Sequence, residues 1–258
     1  MGKVALITGT SSGIGRELAC LHAEKGGDVI LIARRGDALR QLKDELEKTW
    51  DVQAQVIEAD LADEKAPSMI FEAVKASGWE VEYLINNAGF GGRGKFHERD
   101  WQDERDMMQV NVVSLTALTH LFLPQMVARN SGCILNVSST ASLLPGPMKA
   151  VYYASKAFVT SFSNAIAEEL HDTRVTVTAL LPGATDTEFA ARSGMDKTRL
   201  FDNPASARSV ALDGYQAMMA GKLTVISGIP FGQRLALSLV PFTPKRVLLR
   251  EVRKVQGG

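Results

Sequence analysis

The sequence predicts a single-domain α/β fold with a doubly wound parallel sheet of about seven strands and helices on both faces. Short runs of β-branched and other apolar residues alternate along the chain with longer segments of helical periodicity. Most of the runs are continuously apolar, which is typical of parallel strands covered on both faces and favours right-handed βαβ units. The predicted strands are Val4–Ile7, Val29–Ile32, Val52–Ile57, Tyr83–Ile85, Cys133–Val137, Val175–Leu181 and Leu223–Ile226.

One domain spanning residues 1–258 is the predicted organisation. A chain of 258 residues, 45% of them hydrophobic, is long enough to bury a substantial core. The segment Asp37–Thr49 shows the helical pattern clearly. Its leucines, Leu39, Leu42 and Leu46, fall on one stripe that can pack against a sheet. We find no linker, internal repeat or low-complexity run that marks a second domain.

The overall charge argues against a nucleic-acid partner, and the spacing of the histidines argues against a metal site. Lysine plus arginine and aspartate plus glutamate each number 29, so no net field attracts nucleic acid, and we expect no nucleic-acid partner. The four histidines are dispersed without metal-ligand spacing, and we expect no metal site.

Cysteine usage and apolar runs bear on the cellular compartment. Cys20 and Cys133 are the only cysteines and share no paired-spacing motif, which is typical of a reduced cytoplasmic environment. The apolar run after Lys3 is too short for a signal-peptide core, and no run reaches the length of about 18 apolar residues expected of a membrane span. We therefore expect a cytoplasmic protein without a transmembrane segment.

A glycine-rich loop joins the first predicted strand to the first predicted helix, which we expect to begin near Arg16. The loop, Thr8–Gly15, reads TGTSSGIG. Glycines let a backbone turn sharply and approach a pyrophosphate, and the helix N-terminus adds N–H donors. The G-x-x-x-G-x-G spacing differs from the common G-x-G-x-x-G, so an ordinary strand–helix turn is the alternative. The position between first strand and first helix favours dinucleotide binding.

The end of the second predicted strand indicates which dinucleotide binds. NAD-binding folds usually place a carboxylate there, about 20 residues past the glycine loop, to hold the ribose 2′-hydroxyl. This chain has Arg34 and Arg35 instead, and two guanidiniums suit a 2′-phosphate. The alternative is a solvated basic turn, although cations oppose the dipole at the start of the helix that follows. The pattern favours NADP(H).

A tyrosine and a lysine four residues apart lie at the start of a helix predicted to end near His171. Tyr152 and Lys156 share one helical face, whereas Tyr153 has Ala157 at that offset. An ammonium about 5 Å from a phenol lowers the phenol pKa by about two, into a range useful for proton transfer. By itself the pair is weak evidence, because Tyr and Lys are common on helix surfaces.

Five motifs, taken in order, resemble those of the short-chain dehydrogenase/reductase family over nearly the whole chain. Thr8–Gly15 matches the family's T-G-x-x-x-G-I-G loop, and Asn86–Gly89 matches its N-N-A-G turn. Asn111 falls on the family's helix asparagine, and Ser139 lies 13 residues before the helix tyrosine, at the family spacing. Pro182–Thr187 matches the P-G-x-x-x-T segment that closes on nicotinamide.

This resemblance implies an NADP(H)-dependent oxidoreductase on a Rossmann-like sheet. Tyr152 would exchange a proton with the substrate oxygen, and Lys156 would lower the pKa of that tyrosine and bind the nicotinamide ribose. Ser139 would polarise the substrate oxygen, and Asn111 would hold a water in a proton relay. The implied cofactor contacts, with Asp60 at adenine, are Gly9, Ser11, Ser12, Gly13, Ile14, Arg34, Arg35, Asp60, Leu61, Asn87, Ala88, Gly89, Tyr152, Lys156, Pro182, Gly183, Thr185 and Thr187.

Three connections at the carboxyl ends of predicted strands should form the substrate pocket, and residues 186–205 are the expected lid. These connections are Phe90–Arg99, Thr140–Val151 and Asp186–Ala205. Their expected inward residues are mainly apolar, which favours an apolar carbonyl or alcohol over a sugar or a charged acid. These residues are Phe90, Leu144, Pro145, Met148, Phe189 and Met195.

The C-terminal extension, residues 230–258, combines apolar and basic side chains. It could be an amphipathic surface helix resting on acidic lipid. We prefer the alternative that it packs on a neighbouring subunit or caps the pocket, because Pro241 and Pro244 interrupt any long helix.

Apolar content on two predicted helices, Asn111–Arg129 and Ala154–His171, suggests a homodimer or homotetramer. It exceeds what one face against a sheet requires. The apolar residues are Leu115, Leu118, Leu121, Phe122, Phe158, Phe162 and Ile166.

Two other functions compete with the oxidoreductase. An NADP(H)-sensing regulator would need neither Tyr152 nor Lys156. A sugar-nucleotide epimerase could share both residues, but its relatives usually carry T-G-x-x-G-x-x-G and a larger C-terminal domain.

Overall fold

Seven parallel strands form the central sheet of the computed structural model, which describes residues 3–189, 193 and 203–255. The strands of this sheet and of a separate two-stranded pair are, in chain order, β1 Val4–Thr8, β2 Val29–Ala33, β3 Ala54–Glu58, β4 Val81–Asn86, β5 Cys133–Val137, β6 Thr176–Pro182, β7 Thr185–Asp186, β8 Ala205–Ser206 and β9 Thr224–Ser227. The sheet order is β3-β2-β1-β4-β5-β6-β9, and β7 pairs separately with β8. All seven predicted strands and the doubly wound arrangement are confirmed.

Helices cover both faces of the sheet. They are α1 Gly13–Glu24, α2 Gly36–Trp50, α3 Ala66–Ser77, α4 Trp101–Met108, α5 Leu115–Arg129, α6 Ala150–Glu169, α7 Ala207–Met219, α8 Phe231–Ser238 and α9 Lys245–Val255. Short 3₁₀ helices span Phe96–Glu98, Thr140–Leu143 and Val240–Phe242, and a π-helical turn spans Gln109–Ser114. The first helix begins at Gly13 rather than near Arg16, because the extended backbone of Ser12, with φ −169°, ends the loop sooner.

Two hydrophobic cores lie on opposite faces of the sheet because successive strand side chains alternate in direction. Ala5 and Ile7 of β1 face the core under α1, α2 and α7, whereas Val4 and Leu6 face the core under α3, α5 and α6. The predicted leucine stripe of α2 is buried in the first of these cores. The strand order reverses between β1 and β4, which is the point where doubly wound folds bind dinucleotides.

The longest helical segment, Trp101–Arg129, runs through α4, the π-helical turn and α5, and by length and composition alone it could cross a membrane. Packing within the chain explains much of its apolar character, since Leu118, Phe122 and Met126 are fully or almost fully buried against the sheet and its neighbours. Core helices pass the same length test. The expectation of no transmembrane segment therefore rests on the sequence argument and this packing.

Some of the apolar side chains that we expected to form an oligomer interface on α5 and α6 are instead buried in the core of the chain. Leu115, Leu118, Phe122 and Ile166 are buried within the chain, and only Phe158 of the predicted set is classed as exposed, at 42%. The sequence overestimated this surface because α5 and α6 pack against the sheet and against neighbouring helices on the same face.

A lysine without a hydrogen-bond partner lies at the start of α6. Lys149 is 2% exposed, and its Nζ makes no hydrogen bond to any residue that the structure describes. Burial, helped by the nearby charge of Arg93, lowers the pKa of Lys149 from 10.5 to about 8. Burial therefore disfavours the charged form in the folded state. The free energy of unfolding should rise as pH rises from about 8 to 10.5, because over that range the folded protein has lost this proton while the unfolded chain still holds it.

We expect Lys149→Met to stabilise the fold at pH 7, by about 3 kcal/mol at most, because it removes a desolvated charge and leaves the packing of the stem. Thermal and urea unfolding at pH 7 and pH 10 would measure the gain, which should shrink at the higher pH. Lys48→Met, on the exposed side of α2, is the matched control and should change little. A loss of stability in Lys149→Met at pH 7 would contradict this interpretation.

Candidate active site

A cavity of about 690 Å³ lies at the carboxyl ends of the central strands. Every predicted cofactor-contact residue lines it, and so does Ser139. Asn111 is the one predicted site residue that does not line the cavity. The predicted site residues, drawn from distant parts of the chain, therefore meet around one space.

The glycine loop is shaped by close backbone approaches. Gly9 and Gly13 adopt φ values of +73° and +59°, which favour glycine. A Cβ on Gly13 would lie 2.9 Å from Cγ2 of Thr187, and one on Gly15 would overlap the carbonyl oxygen of Gly9. Three glycines therefore keep the loop flat, tightly turned and free of side chains where it faces the cavity.

Hydrogen bonds tie the N-N-A-G turn to the glycine loop. The Oγ1 of Thr8 accepts from the backbone N–H of Asn87 at 3.0 Å and of Ala88 at 2.9 Å. Nδ2 of Asn87 donates to the carbonyl oxygen of Thr8 at 2.8 Å. The two motifs form one unit, so the turn residues are structural supports of the loop as well as lining of the cavity.

The two arginines after β2 lie at the cavity, each beside a carboxylate. Arg34 is 3.6 Å from Asp60, and the Arg34 side chain remains 62% exposed. Arg35 donates to the backbone and side-chain oxygens of Ser11, at 3.2 Å and 3.1 Å, and pairs with Glu188 at 3.0 Å. Arg35 is therefore held against the glycine loop, and Arg34 lies beside Asp60, the residue predicted to contact adenine.

Tyr152 meets Ser139 inside the cavity, whereas Ser138 is occupied elsewhere. The Ser139 side chain hydrogen bonds with Tyr152, and it also accepts from the N–H of Ala141 at 3.1 Å. The hydroxyl of Ser138 donates to the carbonyl oxygen of Lys156 at 2.9 Å and contacts Thr160 at 2.7 Å. This arrangement agrees with our choice of Ser139 as the candidate that faces a substrate.

The protonation of Tyr152 differs from the sequence-based expectation. Burial raises the pKa of Tyr152 to about 12, and the hydrogen bond with Ser139 offsets only part of the rise. Lys156 does not provide the expected lowering, because burial lowers its own pKa to about 8, so it is uncharged at the pH at which Tyr152 would ionise. Its Nζ donates to the carbonyl oxygen of Val137 at 2.9 Å. Desolvation outweighs the charge effect that spacing alone suggested.

Lys156 is itself altered by its surroundings. The side chain is 4% exposed, and burial lowers its pKa to about 8. A Cβ on Gly89 would lie 3.2 Å from its Nζ and 3.0 Å from Oδ1 of Asn111. The glycine of the N-N-A-G turn therefore leaves room for these two polar groups to approach the turn together.

Asn111 lies in the π-helical turn, and π-helical turns often mark functional sites. Its Nδ2 donates to the carbonyl oxygen of Phe90 at 2.9 Å and to Oγ of Ser155 at 3.1 Å. Its Oδ1 accepts from the N–H of Phe90 at 3.0 Å. These bonds use both amide protons, so Asn111 clamps the loop after β4 to α6. The proton-relay role implied by the resemblance would have to use the remaining lone pair of Oδ1.

The P-G-x-x-x-T segment, Pro182–Thr187, contacts both the loop after β5 and the glycine loop. The carbonyl oxygen of Pro182 accepts from the hydroxyl of Thr140 at 3.2 Å and from that of Ser139 at 3.4 Å. Thr187 contacts the glycine loop at Gly13, as described above. The end of β6 is thereby joined to both Ser139 and the glycine loop.

The substrate side of the cavity contains part of the predicted set. Phe90, Leu144 and Phe189 line it, and the rings of Phe189 and Tyr152 lie 5.5 Å apart. Pro145 and Met148 do not line it. Met148 is turned by a left-handed backbone conformation, with φ +66°. Of the expected lid 186–205, Met195 and most of its neighbours lie outside the described residues.

Sequence reasoning preferred that the C-terminal extension packs on a neighbouring subunit or caps the pocket, but it named none of the residues that line the cavity. Tyr153 also lines it, with its ring stacked so closely over Gly146 that a Cβ there would overlap the ring. The helical spacing of apolar residues in α8 and α9 could have identified the other lining residues of this segment, since each helix places its cavity residues one helical turn apart. The missed lining residues are Ile229, Gln233, Ala236, Leu237, Val240, Leu248, Glu251 and Val252. The preferred expectation that this extension caps the pocket agrees with this position.

The cavity fits a nicotinamide dinucleotide on its own geometry. The glycine loop excludes side chains at the N-terminus of α1, where a pyrophosphate binds readily. Two guanidiniums lie at one end, and a tyrosine and a lysine lie at the other. No group of three His, Cys, Asp or Glu side chains in the described parts of the chain could hold a metal ion.

The glycine loop offers a direct test of this fit. We expect Gly15→Ala to weaken NADPH binding by about tenfold or more, because the added methyl displaces the Gly9 carbonyl and overpacking costs about 1–3 kcal/mol. Fluorescence titration of NADPH would measure the change. Gly232→Ala in α8, where a Cβ meets nothing within 4 Å, is the control and should bind normally. Equal affinity in both variants would rule out the proposed role of the loop.

Solved structures with this architecture contain nicotinamide cofactors. A short-chain dehydrogenase from Sphingobium yanoikuyae in complex with NADPH superposes with a TM-score of 0.84 at 28% identity, over 93% of this chain and 94% of that one. A short-chain dehydrogenase/reductase from Burkholderia phymatum in complex with NAD gives a TM-score of 0.81 at 25% identity, over 93% and 92%. The fold and the cavity together define a nicotinamide-dependent oxidoreductase class.

Sequence comparison identifies the family. The model of the short chain dehydrogenases matches residues 3–198, and the chain belongs to that family. Human very-long-chain 3-oxoacyl-CoA reductase is 34% identical over 196 residues, which are 74% of this chain and 62% of that protein. This chain therefore spans less than two thirds of the length of that relative.

Proposed function

We propose that this chain is an NADP(H)-dependent oxidoreductase that transfers a hydride between nicotinamide and an apolar carbonyl or alcohol substrate, with Tyr152 as the acid–base residue. The observation that carries the proposal is the shared cavity, in which Tyr152, Ser139 and Lys156 line the same space as the glycine loop. Bound NADPH would supply the hydride, and the protein's residues would hold the reactants and move the proton.

Tyr152 is the proton donor in the direction of reduction. With a pKa of about 12 its phenol is protonated at neutral pH, so it can give a proton to a carbonyl oxygen. Ser139 hydrogen bonds the same oxygen and stabilises the negative charge that develops there. Lys156, with a pKa of about 8, carries a proton through most of the physiological range and can return one to the site.

Preference for NADP(H) over NAD(H) rests on the two arginines after β2. Both line the cavity at the place where NAD-binding folds usually carry a carboxylate. The exposed fork of Arg34 lies beside Asp60 and supports the proposal, because a guanidinium can bind a 2′-phosphate in bidentate fashion. One structural neighbour binds NADPH and another binds NAD, so the support for this preference comes from these arginines.

An apolar substrate fits the walls around Tyr152. Phe90, Leu144 and Phe189 approach from the loops, and Leu237 and Val240 approach from the C-terminal extension. The human relative is named a very-long-chain 3-oxoacyl-CoA reductase, and a 3-oxoacyl group is a ketone on an apolar chain. We place the protein in the cytoplasm, where the thiols of Cys20 and Cys133 stay free.

A homodimer or homotetramer forms through α5 and α6 in this proposal. Val113 and Phe158 remain 49% and 42% exposed, and Phe158 stacks on Phe162 with ring centroids 5.8 Å apart. We expect sedimentation velocity at micromolar concentration to show a species larger than 27.9 kDa, and Phe158→Glu to shift it toward monomer. Trp101→Glu on α4, also exposed, should leave the assembly unchanged. A single 27.9 kDa species for the unaltered chain would contradict the proposal.

A panel of ketones, aldehydes and alcohols, followed by NADPH absorbance, tests the proposed activity. We expect turnover of ketones carrying long alkyl or ring substituents, and kcat/KM should rise with the apolar surface of the substrate. Turnover confined to sugars or small charged acids would overturn the assigned substrate class.

A further inference from the structure

The C-terminal extension presents two different faces, and the catalytic proposal accounts for only one. We call Phe231–Val255, which comprises α8, the 3₁₀ turn and α9, the C-terminal cap. Its inner face lines the cavity through residues one helical turn apart, including Leu237 in α8 and Leu248 and Val252 in α9. The opposite, outward face touches no part of the site.

The outward face of α8 is apolar. Phe231, Leu235 and Leu239 are spaced at i, i+4 and i+8, so they form one stripe, and they are 80%, 54% and 54% exposed. Phe242 in the 3₁₀ turn is 84% exposed. Soluble surfaces seldom concentrate so many large apolar side chains in one short segment unless the surface binds something.

The outward face of α9 is basic. Arg246, Arg250 and Arg253 are spaced at i, i+4 and i+7, on the side of the helix opposite the cavity-lining residues Leu248 and Val252. The cap contains six lysines and arginines and one glutamate, although the whole chain is neutral. The cap is therefore a positive and apolar region on a chain whose remainder carries a compensating negative charge.

We propose that the outward face of the C-terminal cap binds the anionic surface of a lipid bilayer. Apolar and aromatic side chains beside a basic helix face are the combination that lies at a membrane interface, where rings enter the headgroup layer and cations meet acidic headgroups. A symmetric contact between two copies through this face would oppose two strongly positive surfaces. A nucleic acid would match the charge but not the exposed leucines.

Co-sedimentation of the full chain with vesicles tests this inference without depending on turnover or on the proposed function. We expect little binding to phosphatidylcholine vesicles and several-fold more when phosphatidylglycerol is included, with a decrease at high salt. Arg246→Glu with Arg250→Glu should abolish the gain, and Phe231→Ser with Phe242→Ser should reduce it.

Two controls separate the cap from general charge and apolarity. Lys48→Glu with Lys75→Glu makes the same charge change on exposed positions of α2 and α3, and Trp101→Ser removes an exposed ring that is 61% exposed. Both should bind like the unaltered chain, and an unchanged thermal unfolding temperature of every variant should confirm folding. Equal binding to neutral and anionic vesicles, or unchanged binding of the arginine variant, would overturn the inference. So would a change of sedimentation coefficient in the cap variants, which would assign the face to a second copy of the chain.

Discussion

Replacement of Tyr152 by phenylalanine is expected to lower kcat for carbonyl reduction by roughly a hundredfold or more, because a positioned acid–base group typically contributes about 10²–10⁴. The ring packing against Phe189 is kept, and only the hydroxyl that meets Ser139 is lost. NADPH affinity should change much less, since in the proposed mechanism the phenol oxygen meets the substrate rather than the phosphates. Steady-state kinetics on any active ketone, with NADPH binding followed by fluorescence, would measure both quantities.

Two further variants locate the effect. Tyr153→Phe removes a hydroxyl from the neighbouring cavity residue while its ring still packs over Gly146, and it should stay within a few-fold of the unaltered enzyme. Lys156→Ala should damage both kcat and cofactor binding, because in the proposed mechanism the lysine returns a proton and also binds the ribose. Near-normal kcat in Tyr152→Phe combined with a large loss in Tyr153→Phe would show that we chose the wrong tyrosine.

Arg34→Asp is expected to change the ratio of kcat/KM for NADPH and NADH by about a hundredfold or more in favour of NADH. The substitution removes charge-assisted hydrogen bonds, worth about 1.5–3 kcal/mol each, and places a second carboxylate beside Asp60, where a 2′-phosphate would be repelled. Initial rates with each cofactor at a fixed ketone concentration would give the ratio.

Arg40, in the helix α2 that follows Arg34 and Arg35, provides the matched control. Arg40 is 59% exposed, close to the 62% of Arg34, but it pairs with Asp37 and does not line the cavity. Arg40→Asp should therefore leave the cofactor ratio unchanged. An unaltered chain that uses both cofactors equally would already contradict the preference, and an equal response of the two variants would assign the effect to general charge.

Much of the fold and the cofactor side of the site could be predicted because local pattern determines both. Continuous apolar runs identify buried parallel strands, and the stripe of Leu39, Leu42 and Leu46 identifies the buried face of α2. The loop glycines are required locally by the positive φ values of Gly9 and Gly13 and by the close approach of Gly15 to the Gly9 carbonyl, which a linear motif records well. These features depend little on distant parts of the chain.

The remainder depends on burial and on contacts between distant segments, which spacing does not report. Helical spacing placed Lys156 near Tyr152, but it could not show that the lysine would donate to Val137 or that desolvation would raise the pKa of the tyrosine. Asn111 matched a motif, yet its role in clamping Phe90 to α6 appears only in three dimensions. The cap's position over the cavity likewise follows from how the chain returns after β9.

Hydride transfer itself is the central claim, and isotope transfer measures it most directly. The reduction of an apolar ketone would be run with NADPH deuterated at nicotinamide C4, using both stereochemical forms, and the alcohol product would be analysed by mass spectrometry. We predict one deuterium on the carbinol carbon with one of the two forms, in equal amount to the NADP⁺ produced, and a much smaller yield of the same deuterated alcohol from Tyr152→Phe. Tight NADPH binding without deuterium transfer to any ketone would contradict the account and favour a cofactor-sensing protein.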